Sequence, residues 1–387
     1  MRVGEQPRVL VVGAPFGDGH MTAAKAVARL LAIRGPGLAV TVTDICGNVL
    51  PRLHLDRALR AGYRTIATHW GGRAHRLLYG VAGRWPGAVC RLSYAALGRS
   101  TRAWLRRAAP DLVIATHPVA AYLCRRAVGP RVPVVTLVTD SGAVNPIWFH
   151  GRYAATLLAD AGSVHHIPAG DGPPPGLAVV GSPVAMALTR PPGQREARAR
   201  LGLDERFTVL VTAGGAGLGR GIRTAARALA SSDLDIQLIL NAGDNGSLLR
   251  GFRAIARRRT CVVRGFTDEF DLLLAASDLV VGKAGWLTLN EAILLGRPTL
   301  IVDVLPGQEE SNAVVAEALG VARRVPPATV VDEVRRYAGD RRGLAADFAL
   351  DAAAEFVAGW PDRLVDALSQ VLPAGAVLAG PEPGAPP

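Results

Sequence analysis

The chain has 387 residues, 49% of them hydrophobic, which is enough to bury two domain cores rather than one. Its apolar runs are broken by a charge or a turn signal before they reach the roughly 18 residues of a membrane span, and the start enters a strand pattern without the basic, apolar and small-residue order of an export leader, so a cytoplasmic address is expected. Cys46, Cys90, Cys124 and Cys261 are far apart with no CxxC spacing, which points to buried thiols rather than a disulfide framework or a zinc site.

Strand-like runs rich in Val, Ile and Leu recur in chain order at Arg8–Val12, Ala39–Val42, Asp111–Ala115, Val132–Val138, Phe207–Thr212, Ile236–Asn241, Cys261–Arg264, Leu279–Val281 and Pro298–Asp303, with helical patterns between them. This alternation predicts an α/β fold with parallel sheets covered by helices on both faces. Pro, Gly and charge interrupt the pattern at GDGPPP (170–175) and 189–200. The expected organisation is an N-terminal Rossmann-like domain over 1–182, a linker over 183–204, a second Rossmann-like domain over 205–343, helices over 344–372 and a disordered tail over 373–387.

The net charge of +12 is concentrated. Between Arg52 and Arg107 there are twelve arginines and one acidic residue, Asp56, together with Trp70, Trp85, Trp104, Tyr63, Tyr79 and Tyr94. Basic residues mixed with aromatics of this kind suit an anionic membrane surface; the alternative is a solvated helical face. A pI near 10.5 alone would permit nucleic-acid binding, but the charge sits in one segment and no nucleic-acid motif accompanies it, so no nucleic acid is expected.

In VLVVGAPFGDGHMTAAKAV (9–27) a strand runs through a Gly-rich turn into a helix, which aims backbone N–H groups and the positive helix end at one point. The run is not GxGxxG, so a dinucleotide reading is weak. His20, next to Gly19 at the turn-to-helix junction, could accept a proton near neutral pH or could merely hydrogen-bond the turn. Asp140, after the strand Val132–Val138, could orient His20, bind an acceptor, or cap a turn.

The second half opens with another strand and glycine turn, FTVLVTAGGAGLGRGI (207–222), which lacks the Lys-Ser/Thr end of a P-loop. In 262–315 the polar residues Lys283, Thr288, Glu291, Gln308, Glu309 and Asn312 stand beside strand ends and helix starts, where burial is costly without a partner. Thr288 and glycine-loop amides can hold phosphate oxygens, Lys283 can offset their charge, Glu291 can accept from both hydroxyls of a ribose, and Gln308 and Glu309 could bind sugar hydroxyls. The chain has only two lysines, Lys25 and Lys283, and both fall in these two motif segments. No acidic pair has convincing metal spacing, and neither a metal nor a cofactor is expected.

VVGKAGWLTLNEA with LPGQEESN, and GDGHMTAA, DLVIATHP and VTLVTDSG, resemble the GT-B glycosyltransferases of the family that contains monogalactosyldiacylglycerol synthase and processive diacylglycerol glucosyltransferase, and more distantly the N-acetylglucosaminyltransferase acting on lipid I. The resemblance implies two Rossmann-like domains facing a central cleft, a UDP-sugar in the C-terminal domain, a lipid acceptor in the N-terminal one, and transfer with inversion. It places Phe266 by the uracil, Glu291 on the ribose, Gly214, Gly215, Gly285 and Thr288 near the diphosphate, Gln308 and Glu309 on the sugar, and His20 as base. His117, Asn145 and Trp148 would fall on the acceptor side, with Trp70 and Trp85 at the membrane. Two positions depart from the family pattern: Asn145 replaces a His in VNPIWF, and Trp286 replaces a glycine after Gly285.

The expected activity is therefore inverting, metal-independent transfer of a hexose from a UDP-sugar to a membrane lipid such as diacylglycerol, by a protein peripheral to the inner face of the plasma membrane. The alternatives are a soluble glycosyltransferase for a small secondary metabolite and a UDP-sugar 2-epimerase.

Overall fold

A computed structural model describes residues 6–15, 19–49, 62, 65, 72–169, 173–185, 189, 191–257 and 261–380. It separates into two compact units, one formed by 1–63, 76–188 and 358–387, the other by 64–75 and 189–357.

In the first unit, strands β1 (Arg8–Gly13), β2 (Ala39–Asp44), β3 (Leu112–Ala115), β4 (Val134–Leu137), β5 (Ala155–Leu158) and β6 (Leu177–Val179) form a six-stranded sheet in the order β2-β1-β3-β4-β5-β6. Every pairing is parallel. The β1, β3, β4 and β5 side chains are almost wholly buried, as expected for a sheet covered on both faces. Around it lie α1 (Gly19–Arg34), α2 (Ile45–Val49), α3 (Arg73–Arg84), α4 (Pro86–Ala108) and α5 (Pro118–Val128). Leu10, Val12, Val113, Leu123 and Trp104 share one core cluster.

The second unit repeats the plan. Strands β7 (Phe207–Thr212), β8 (Ile236–Asn241), β9 (Cys261–Arg264), β10 (Leu279–Lys283), β11 (Thr299–Asp303) and β12 (Ala322–Arg324) run parallel in the order β12-β11-β10-β7-β8-β9. Its helices are α6 (Gln194–Leu201), α7 (Arg220–Ala230), α8 (Gly246–Ala256), α9 (Phe270–Ala276), α10 (Trp286–Leu294), α11 (Glu310–Ala318), α12 (Val330–Ala338), α13 (Arg341–Ala346) and α14 (Leu350–Ala358).

Each sheet reverses its strand order once, between β1 and β3 and between β7 and β10. In open α/β sheets, ligands bind at such points, beyond the carboxyl ends of the strands.

The helices expected over 344–372 divide between the two units. The last helix, α15 (Trp360–Ser369), belongs to the first unit: Trp360 donates its indole N–H to the Val184 carbonyl at 3.0 Å, and Arg34 pairs with Asp362 at 2.9 Å. Within the segment expected as the tail, Ala379 N–H donates to the Arg34 carbonyl at 2.7 Å. The segment expected as linker contains α6, which is clamped to the second unit by Arg198 and Asp278, a buried pair at 2.6 Å.

Candidate active site

In the first unit the candidate site is built at the ends of β1, β3, β4 and β5. His20 is the second residue of α1 and is 8% exposed. Its Nδ1 lies 2.7 Å from the Thr116 carbonyl oxygen and 3.0 Å from the Thr139 hydroxyl. A carbonyl only accepts, so Nδ1 carries the hydrogen and Nε2 is left as the basic nitrogen. Thr116 also donates its hydroxyl to the His20 carbonyl at 2.7 Å, which fixes the first turn of α1 to the end of β3.

The ring is enclosed by His117, edge-on at 4.8 Å between centroids, and by Trp148 at 6.1 Å. Burial holds the His20 pKa below its usual value, while the Asp140 carboxylate and the Thr116 carbonyl pull the other way. Burial, with the neighbouring His20, drives His117 further down. Both imidazoles are therefore neutral at neutral pH, the state a base requires.

Asp140 is 7% exposed and follows Thr139 in the turn after β4. Asp160, at the end of β5, ties down this turn: its carboxylate accepts from the Ser141 hydroxyl at 2.9 Å, Gly142 N–H at 3.0 Å, the Ser163 hydroxyl at 2.6 Å and Ser163 N–H at 3.0 Å.

Asn145 is a brace. Its side-chain oxygen accepts from Ile147 N–H at 3.1 Å, capping the short 3-10 turn Pro146–Phe149, and its amide donates to the Tyr79 carbonyl at 2.8 Å, fastening α3. Trp148 is 1% exposed and packs with Val138, Val144 and Leu158. It is a wall beside His20 and has no access to a membrane. Trp104 is likewise a core residue, and Tyr94 bonds to Arg126 and Arg102, so of the described aromatics in the basic stretch Trp85 presents the largest exposed ring. Trp70 lies outside the described residues. The apolar surface on α3 and α4 is instead aliphatic: Leu77, Leu78, Val81 and Leu92 stand exposed with Trp85 among the exposed Arg76, Arg84, Arg91 and Arg99.

In the second unit, the loop 213–219 joins β7 to α7. Gly214 and Gly217 have φ of +68° and +66°, where a side chain would be strained. Gly214 N–H donates to Thr212 at 3.2 Å, and Asn245, the cap of α8, holds Gly217 by its carbonyl at 2.8 Å. Lys283 ends β10 and forms an ion pair with Glu309, whose other oxygen accepts from Leu305 N–H at 3.0 Å. Both Glu309 oxygens, expected at sugar hydroxyls, thus already have protein donors.

Helix α10 begins at Trp286 with Gly285 as its cap. Thr288 and Glu291 are three residues apart and share one helix face. No described residue donates to the Glu291 carboxylate; burial, with the Asp271 charge beside it, raises it to about 8. Asn312 donates its amide to the Ala284 carbonyl at 3.1 Å, bracing the loop before α10. Phe266, just past β9, is 58% exposed and offers a free ring face. Trp286 is 6% exposed and its indole N–H is buried without a partner, so the bulky replacement for glycine is accommodated inside the unit at the helix start. Gln308 is half-buried in the turn before α11.

Thr116, Thr139 and Asp160 were not singled out in the sequence. The first two lie inside DLVIATHP and VTLVTDSG, so position was available but not partnership; Asp160 follows a four-residue strand with no motif.

Two parallel sheets, each with one strand-order reversal and a glycine turn at the end of a central strand, make two Rossmann-like units. The fold is GT-B. A structure of the calicheamicin glycosyltransferase CalG4 aligns with 96% of this chain and 100% of its own, with a TM-score of 0.56 and 18% identity. The family model for monogalactosyldiacylglycerol synthase matches residues 20–166, and that for the glycosyltransferase family 28 C-terminal domain matches 208–334, one on each unit. Among relatives, the monogalactosyldiacylglycerol synthase of Spinacia oleracea is 26% identical over 86% of this chain and 66% of its own length. The processive diacylglycerol beta-glucosyltransferase of Bacillus cereus is 26% identical over 82% of each. The chain spans between about half and two thirds of the length of the plant monogalactosyldiacylglycerol synthases it matches.

Proposed function

We propose that this chain is a hexosyltransferase that moves a hexose from a UDP-sugar to a hydroxyl of a membrane lipid such as diacylglycerol, with inversion and without a metal in the step. The observation that carries the reading is the state of His20, a buried neutral imidazole whose Nδ1 is spent on the Thr116 carbonyl. Its Nε2 takes the hydroxyl proton as the oxygen attacks the anomeric carbon and the bond to UDP breaks. Asp140 stabilises the imidazolium that forms, the charge that burial otherwise opposes.

The leaving diphosphate gains negative charge, offset by Lys283, the N-terminus of α10, Thr288 and the Gly214–Gly215 turn. Glu291 takes the ribose hydroxyls, Phe266 faces the uracil, and Gln308 contacts the sugar. Trp85 and the leucines of α3 and α4, set among arginines, dock on an anionic leaflet, where each arginine contributes about 1 kcal/mol. That surface favours a lipid over a soluble acceptor, and binding at the inner face of the plasma membrane. Among the described residues no helix is long and apolar enough to cross a membrane.

The test is product analysis by mass spectrometry after incubation with UDP-glucose or UDP-galactose and diacylglycerol vesicles. A hexosyl-diacylglycerol supports the proposal. Glycosylation of soluble alcohols alone, or a changed UDP-sugar without acceptor, contradicts it.

A further inference from the structure

The Lys283–Glu309 pair lies where the donor's phosphates are expected, at the second sheet's reversal between β7 and β10. A Cβ added to Gly214 would come within 3.2 Å of the Lys283 Cε, and one added to Gly285 within 3.1 Å of its Nζ and 3.7 Å of Glu309 Oε1. The bare backbone of the glycine turn and of the α10 cap therefore borders the ammonium group directly.

Two carboxylates share this ammonium's surroundings. Glu309 is bonded to it, and Asp303, which accepts Gly221 N–H at 2.6 Å and Val304 N–H at 2.9 Å, feels both charges. With these groups ionised the cluster carries one net negative charge, yet the proposed ligand is a diphosphate anion. A lysine reserved for phosphate has no need of a buried counter-ion, whereas a lysine that must be both stable when empty and available when loaded does.

We propose that Glu309 is an exchangeable counter-ion: it holds Lys283 in the empty site, gives it up to the donor diphosphate, and so sets how tightly UDP is retained before and after transfer. The proposal rests on the UDP-sugar reading above. Glu309 remains tied to Leu305 N–H when Lys283 turns away, so the exchange needs only a lysine rotamer and no loop movement.

Glu309→Gln keeps the shape and the Leu305 bond while removing the competing charge, so calorimetry with UDP alone, and with UDP-hexose, should show both dissociation constants falling about tenfold. Lys283→Met combined with Glu309→Gln should bind no more tightly than Lys283→Met. The unaltered protein gives a second readout: with only Lys25 and Lys283 in the chain, carbon-13-labelled lysine yields two ε-carbon signals, assignable through Lys25→Arg. Saturation with UDP should move the Lys283 signal and leave the other in place.

Unchanged UDP affinity in Glu309→Gln with weakened UDP-hexose binding would make Glu309 a sugar ligand and overturn the proposal. Weaker binding of both, or a Lys283 signal that ignores UDP, would overturn it equally. If the unaltered protein binds no UDP at all, the nucleotide-sugar reading itself falls.

Discussion

Asp160 accepts the Ser141 hydroxyl at 2.9 Å across the ends of β4 and β5, and with three further bonds from Gly142 and Ser163 it fixes the turn that presents Asp140. Gly142, at φ +68°, adopts a backbone conformation that an ordinary side chain would resist.

Asp160→Ala removes a carboxylate that accepts four bonds from buried residues. Stability in urea should fall by about 2–3 kcal/mol. UDP affinity should not change, because the donor groups lie on the other unit, while kcat should fall through the displaced Asp140 turn. Asp160→Asn should recover part of the loss. A variant with normal kcat would separate Asp160 from the site.

His20 supplies a pH dependence whose sign follows from its surroundings. Burial lowers its pKa from 6.5, so the base form persists until pH drops below that value, and the acid limb of kcat/KM should be centred below pH 6.5. Asp140 raises this pKa, so Asp140→Asn should move the limb to still lower pH. Folding stability should weaken over the same range, since the unfolded chain takes up the proton first. His20→Ala should cost about 10²–10⁴-fold in kcat with UDP binding unaltered.

Glu291 predicts proton release. Its carboxyl, raised to about 8, is largely protonated at pH 7, and accepting both ribose hydroxyls requires the carboxylate. UDP affinity should therefore increase from pH 6.5 towards 8.5, and calorimetry at pH 7 in buffers of different ionisation enthalpy should register a proton released. Glu291→Gln should abolish that dependence and stabilise the empty protein at pH above 5, because it removes a charge that the fold disfavours.

The surface of α3 and α4 predicts vesicle binding. The protein should sediment with vesicles rich in anionic lipid and far less with neutral ones, and 0.5 M salt should weaken the association. Replacing Leu77 and Leu78, which are 68% and 55% exposed, by Glu should reduce binding at least about tenfold without lowering thermal stability. Equal failure to bind both vesicle types would remove the membrane from the account.

Nine strands were legible because each is a continuous apolar run, and all nine occupy their expected positions to within two residues at either end. Strands β5, β6 and β12 were missed: β6 and β12 have three residues each, and Ala-Arg-Arg does not read as a strand when its side chains lie at a sheet edge. The polar motifs fall on loops at the ends of parallel strands, where residues must face a ligand or a partner. Which of the two was not legible. Asn145 braces a turn, Asn312 holds a carbonyl and Trp148 is core, because partnership depends on residues such as Tyr79 and Ala284 that are far away in sequence. Interfacial aromatics were overread for the same reason, as Trp104 turned inward and the leucines outward.

The central claim is a single displacement in which His20 deprotonates a lipid hydroxyl while UDP departs from the opposite face of the sugar. Its most direct test is proton NMR of the glycolipid formed from an α-linked UDP-hexose and diacylglycerol. The account predicts a β-glycoside, read from the anomeric coupling constant. An α-glycoside would require two displacements or front-face attack and would contradict it.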